Sequence, residues 1–158
     1  MKLRLLAVGS VSNKNLLALC SDYEARIKHL TPFEILEIRD GKAKEGERRL
    51  RDEAGELRLK AGVKAEGSLL DWVLWDEQGK DLSSESFSGW LEKKAHTGAK
   101  QITFVIGSSH GIDLELKKAI PLHLRLSHFT LTHEMARMLA LEQLYRAHCI
   151  LRHLPYHH

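Results

Sequence analysis

Ile102-Thr-Phe-Val-Ile-Gly107-Ser-Ser-His-Gly111 is the stretch that sets the architecture of this chain. Its first five residues are apolar or β-branched, the composition of a central strand in a parallel sheet covered on both faces. Glycine ends the run, and a helix-length segment follows over Leu114–Ile120. A second unit of the same kind comes next. A short apolar run near Leu122–Leu126 leads into the polar loop Leu126-Ser-His-Phe-Thr-Leu131, and a long helical pattern spans Thr132 to Arg152. In open α/β sheets ligands bind at the carboxyl ends of the strands. Two such loops in succession predict one shared site.

Working outward, further strand-like runs lie at Leu3–Val8, Phe33–Ile38 and Leu69–Trp75. Helix-length segments fall between them, at about Asn13–His29, Gly46–Ala61 and Ser84–Ala95. Strands alternating with helices predict an α/β fold, a mostly parallel sheet with helices on both faces. No linker or repeat divides the chain, so residues 1–158 read as one domain. Ser83 and Ser84 are candidate caps for a helix carrying Phe87, Trp90 and Leu91 on one face. Thr132 can cap the last helix, with Glu134 well placed in its first turn. Met135, Met138, Leu139, Ala140, Leu144, Tyr145 and Cys149 give that helix a broad apolar face, to be packed on the sheet or on another subunit.

Composition narrows the function. With 158 residues the chain can bury a real core, and its apolar and charged fractions are those of a globular protein. No apolar run reaches membrane-spanning length, and the start lacks the hydrophobic region of a signal peptide. Two distant cysteines without a partner motif, Cys20 and Cys149, read as free thiols of a cytoplasmic protein. A net charge of +3 permits a polyanionic partner without demanding one. The charged stretch Lys42–Arg51 reads as a solvated face rather than a phosphate-contacting surface.

Several site chemistries can be weighed residue by residue. One glycine in Ala7-Val-Gly9-Ser-Val-Ser12 is too few for a dinucleotide fingerprint, and no Gly-Lys-Ser/Thr follows Gly107, which excludes a P-loop. Gly107 and Gly111 serve either a tight turn or a close backbone approach to a ligand. His123, His128 and His133 recur at a spacing that no helix or strand places on one face, which argues against a metal set. The tail Leu154-Pro-Tyr-His157-His158 reads either as a frayed end or as a purposeful tyrosine and histidine, a pair able to orient a substrate and manage a proton.

Phe104-Val-Ile-Gly107, the Leu126–Leu131 loop, Glu142-Gln-Leu-Tyr-Arg-Ala147 and Pro155-Tyr-His157 together resemble the bacterial RlmH family. These are SPOUT-class methyltransferases of large-subunit ribosomal RNA. Leu5-Leu-Ala-Val-Gly9 and a turn at Gln78-Gly79-Lys80 fit as well. The resemblance implies S-adenosylmethionine as cofactor, methylation of N3 of a pseudouridine in 23S ribosomal RNA on the ribosome, a carboxyl-terminal trefoil knot, and a homodimer with its site near the subunit interface. By position it assigns the cofactor pocket to Trp75, Gly107, Leu126, Ser127, His128, Phe129, Thr130 and Leu131. It makes Tyr156 and His157 candidates for proton handling. His133 and Arg137 become candidates for binding RNA phosphate or steadying charge, with a plain ion pair as the other reading of Arg137. The chain departs from the family pattern in three places: Trp75 stands for leucine, Ser108 for the second loop glycine, and Thr132 for proline. Ser108 is acceptable if it avoids positive φ. Two other readings remain: a non-catalytic RNA-binding homologue whose altered loop has lost cofactor affinity, and a different nucleotide-binding enzyme, against which the missing fingerprints argue.

Overall fold

The computed structural model describes residues 1–41 and 46–157. Five strands, β1 (Lys2–Val8), β2 (Phe33–Ile38), β3 (Trp72–Lys80), β4 (Gln101–Ile106) and β5 (Leu122–Leu124), form one sheet in the order β2-β1-β4-β3-β5. Every recorded strand pairing is parallel. Five helices connect or follow them: α1 (Lys14–Leu30), α2 (Glu47–Ala61), α3 (Ser84–His96), α4 (Leu114–Ala119) and α5 (His133–Leu151).

Strand alternation sorts the core into two layers. Leu3, Leu5 and Ala7 of β1 join Ile102, Phe104 and Ile106 of β4 on one face, where α1, α3 and α5 supply Cys20, Ile27, Phe87, Leu91, Ala140, Leu141 and Leu144. Leu6 and Val8 join Leu74 and Val105 on the other, covered by Leu57 of α2 and Leu116 of α4. Because β5 lies beyond β3, the chain leaving β4 must cross β3 to reach it.

Side-chain caps define four helix starts. Asn13 accepts from the amides of Asn15 and Leu16, Ser83 from Ser86, Asp113 from Leu116, and Thr132 from Met135. Gly62, at φ 72°, ends α2 in the left-handed conformation that suits glycine. These boundaries follow the sequence pattern closely.

The main departure is β3. Leu69 and Leu70 precede the strand, which instead continues through the polar run Asp76-Glu-Gln-Gly-Lys80. The expected turn at Gln78-Gly79-Lys80 is therefore strand, irregular between Trp75 and Lys80, where the register on β5 shifts. A Cβ on Gly79 would lie 2.5 Å from the backbone carbon of Leu124, so only glycine lets the two strands approach there. The apolar face expected on α5 also divides. Ala140, Leu144 and Cys149 are buried, whereas Met135, Met138, Leu139 and Tyr145 are half-buried. Of the charged stretch, Lys42 and Lys44 lie outside the described residues, and Arg49 is paired with Asp40 and Glu53.

Candidate functional site

The carboxyl ends of β3 and β4, the loop after β5 and the start of α5 surround a cavity of about 1060 Å³. That volume suits a small-molecule ligand or cofactor. The two polar loops do share one site. Gly107, Ser108, Ser109, His110 and Gly111 line one side, and Leu126, Ser127, Phe129, Thr130 and Leu131 the other. Leu74 and Ile106 floor it with apolar surface, and His133 stands at the entrance of α5.

The glycine loop is closed on itself. The Ser108 amide donates to the Gly111 carbonyl at 3.1 Å, and the Gly111 amide returns a bond to Ser108 at 3.0 Å. A Cβ on Gly107 would sit 2.5 Å from the Gly111 carbonyl oxygen, so the close approach that demands glycine is the loop's own. Gly111 takes φ 96°, another requirement for glycine. Ser108 is not among the residues with positive φ, which explains why a side chain is tolerated there. Its hydroxyl accepts from the His110 amide and faces the Gly111 carbonyl.

The 126–131 loop is open. Among the described residues its one bonded amide is that of Phe129, which donates to Ser127 Oγ at 2.9 Å. The other amides and carbonyls of the loop have no recorded hydrogen-bond partner among the described residues. Phe129 is 83% exposed at the rim. His128 turns outward, with Nε2 3.3 Å from Asp81, and does not line the cavity. Trp75 contributes an edge to the wall, but its ring stacks on Phe104 at 5.8 Å and meets Phe87 edge-on, within the core.

The other predicted residues lie elsewhere. Arg137 is 2% exposed and points towards the sheet, bonding Glu37 of β2 and the Gly9 carbonyl. The geometry therefore favours its ion-pair reading. Tyr156 and His157 also lie outside the cavity lining, but they are not frayed. Tyr156 reaches Glu142 at 3.0 Å, and that glutamate is about 12 Å along α5 from the cavity-lining Glu134 at the usual helical rise. Burial, then the bonds to Tyr23 and Glu142, push the Tyr156 phenol above its ordinary range. It consequently remains a neutral hydrogen-bond donor at working pH. The three spaced histidines also separate: His123 bonds the carbonyls of Lys117 and Ile120, His128 meets Asp81, and His133 lines the cavity.

Sequence reasoning missed part of the wall. Asp76, the residue after Trp75, holds Lys117 of α4 at 2.5 Å. Burial alone would raise the Asp76 carboxyl, but bonds from Lys117 and the Gln78 amide outweigh it and hold it below the usual aspartate value. Glu134 accepts from the Ser12 amide, the Ser12 hydroxyl and the Asn13 amide, at 2.8, 2.6 and 3.2 Å. Asp76 was readable as the first polar residue past an apolar strand. The Ser12–Glu134 tie spans nearly the whole chain and has no local signature.

A cavity at the carboxyl ends of parallel strands, with unbonded backbone groups on one wall, is where α/β proteins take small organic ligands. The sequence makes the class specific. Residues 1–157 match the family model described as predicted SPOUT methyltransferase, and the chain belongs to that family. It is 39% identical to the ribosomal RNA large subunit methyltransferase H of Christiangramia forsetii, across 100% of this chain and 99% of that one. Its identity to the protein of the same name from Parabacteroides distasonis is 38%, with the same coverage. Among solved structures, a probable methyltransferase from Bordetella pertussis Tohama I shares the fold with a TM-score of 0.53 at 14% identity, over 92% of this chain and 95% of that one. Among the described residues no helix is long and apolar enough to cross a membrane.

Proposed function

We propose that this protein is an S-adenosylmethionine-dependent methyltransferase of large-subunit ribosomal RNA that modifies N3 of a pseudouridine in the assembled ribosome, in the cytoplasm. The observation that carries the reading is the shared cavity, with one wall of uncommitted backbone amides and carbonyls. The full-length likeness to ribosomal RNA large subunit methyltransferases H supports the substrate class.

The residues fit the cofactor. Free amides and carbonyls of Leu126, Ser127, Thr130 and Leu131 suit the hydrogen-bonding edge of adenine, while Leu74, Ile106 and the edge of Trp75 suit its faces. His128 and Phe129 hold the outer turn of that loop. Gly107 keeps the opposite wall closed. When bound, the cofactor supplies an electrophilic methyl group on a positively charged sulfonium. The chain's own task is to align the pseudouridine N3 and to take up its proton as the nitrogen–methyl bond forms. His157 is the proton acceptor in this reading, and Tyr156 orients the base. His133, at the cavity mouth and the amino end of α5, meets RNA phosphate. Arg137 acts through α5, which it fastens to β1 and β2.

Tyr156 and His157 are held away from the cavity of their own chain, so the reading takes the enzyme as a homodimer in which the tail of one subunit completes the cavity of the other. The half-buried Met135, Met138 and Leu139 offer apolar surface for such a contact. The β4–β5 crossover is compatible with the family's knotted threading.

Calorimetric titration with S-adenosylmethionine and S-adenosylhomocysteine, followed by methyl transfer to ribosomes lacking the modification, tests this function. Saturable binding with transfer to a single pseudouridine N3 is expected. Binding without transfer would leave a non-catalytic homologue, and transfer to another atom would overturn the N3 assignment. Subunit mixing tests the dimer. A Gly107→Val subunit paired with a His157→Ala subunit should restore one working site, and the absence of any rescue would sink the composite arrangement.

A further inference from the structure

We propose that Tyr23 of α1 and Glu85 of α3 are positioning residues for methyl transfer, which hold Tyr156 and His157 of the carboxyl-terminal tail in their reactive orientation. This rests on the methyl-transfer reading above and adds two residues, neither of which lines the cavity.

The hydrogen bonds around the tail have a direction. Tyr156 donates its one phenolic proton to Glu142 Oε1 at 3.0 Å. The 3.0 Å contact between the two tyrosine hydroxyls must then run from Tyr23 to Tyr156. Glu142 is held in turn by Arg146 Nε at 2.9 Å, and the same guanidinium lies 4.7 Å from the Tyr156 ring centroid. Tyr145 meets Tyr156 edge-on at 4.8 Å. The phenol is thus fixed in position, and Tyr23 fixes the direction of its proton.

The same logic assigns the imidazole. Arginine can only donate, so the contact of Arg146 with His157 Nδ1 at 3.3 Å makes Nδ1 the acceptor. Nε2 therefore carries the proton and donates to Glu85 Oε1 at 2.7 Å. A carboxylate that holds one imidazole nitrogen protonated leaves the other as the base, the arrangement used behind many catalytic histidines; here Nδ1 takes that role when the substrate proton replaces the long Arg146 contact. Bonds from its own amide, from the Ser83 hydroxyl and from His157 pull the Glu85 carboxyl down to about 2, so it is ionised throughout the working range.

A structural role alone predicts something else. Glu85 is 61% exposed, and exposed ion pairs add little stability. Its contribution is therefore sought in turnover. The test uses the full-length protein and ribosomes lacking the methyl group, with steady-state transfer, cofactor calorimetry and thermal unfolding measured side by side. Tyr23→Phe and Glu85→Gln should each lower kcat roughly tenfold to hundredfold, the effect of small misplacement of reacting groups. KM for ribosomes and cofactor affinity should stay within about twofold, because ground-state binding is untouched. Glu85→Asp should recover part of the loss. Unchanged kcat in both variants of an active enzyme would overturn the positioning role alone, as would a loss confined to KM or to thermal stability. An inactive wild type would overturn the methyl-transfer reading and this proposal together. Should Tyr23→Phe fail to fold, the exposed Glu85 variants decide the matter.

Discussion

The two loops that face each other across the cavity solve opposite problems. Residues 107–111 bond their own backbone, Ser108 to Gly111 in both directions, and exclude a side chain at 107 by contact with the 111 carbonyl. Residues 126–131 leave most of their backbone unbonded and hold their shape through one short Ser127 contact and the helix that follows. Buried backbone groups must find partners, and exposed ones can wait for them. In the proposed reading the closed loop is the wall and the open one the receptor. Glycine content alone would have ranked them the other way, since glycine-rich turns are usually read as the part that touches the ligand.

That contrast can be broken from either side. Gly107→Val should do the most damage. Prising the closed loop apart is expected to weaken S-adenosylmethionine binding by at least about a hundredfold, with roughly 1–3 kcal/mol of stability lost to overpacking. Calorimetry and urea unfolding give both numbers. Thr130→Pro removes one free amide from the open loop. Cofactor affinity should fall about tenfold, the worth of one hydrogen bond, with the unfolding midpoint unchanged because that amide has no recorded partner among the described residues. Normal affinity would show that this amide does not read the cofactor.

Two smaller effects sharpen the picture of the wall. Asp76→Asn severs α4 from the end of β3. Because the folded-state carboxyl lies below its ordinary value, its contribution is present at neutral pH and disappears as pH falls through that lowered value. The stability gap between wild type and variant, about 1 kcal/mol near pH 7, should therefore close on acidification. A gap independent of pH would mean that the ion pair with Lys117 is not its source. Ser108→Gly restores the commoner loop residue. It should cost about 0.5–1 kcal/mol through unfolded-state entropy and leave cofactor binding unaltered.

Most of the scaffold was legible in the sequence because hydrophobic period and cap residues are local signals. Asn13, Ser83 and Thr132 mark helix starts by chemistry that needs no tertiary context. β3 was misplaced for a related reason. Leu69 and Leu70 look like strand, yet only Leu69 is buried, while the polar run to Lys80 is held in the sheet by close backbone approach to β5. Among site residues, those on the two loops could be read because strands point at them. Asp76 with Lys117, and the docking of Tyr156 on Tyr23 and Glu142, join elements distant in sequence. No period or motif announces such a meeting. Arg137 shows the converse: a charged residue in the first turns of a site-forming helix looked available, and folding committed it to Glu37 and Gly9.

Glu134 binds both Ser12 and Asn13, so the loop after the first strand takes its shape from a residue translated near the other end. Synthesis proceeds at about 5–20 residues per second, and for those seconds the emerging chain has its first strand and helix but no finished cavity. A polypeptide stalled before α5 lacks that tie and one wall of the cavity, and is expected to bind no S-adenosylmethionine.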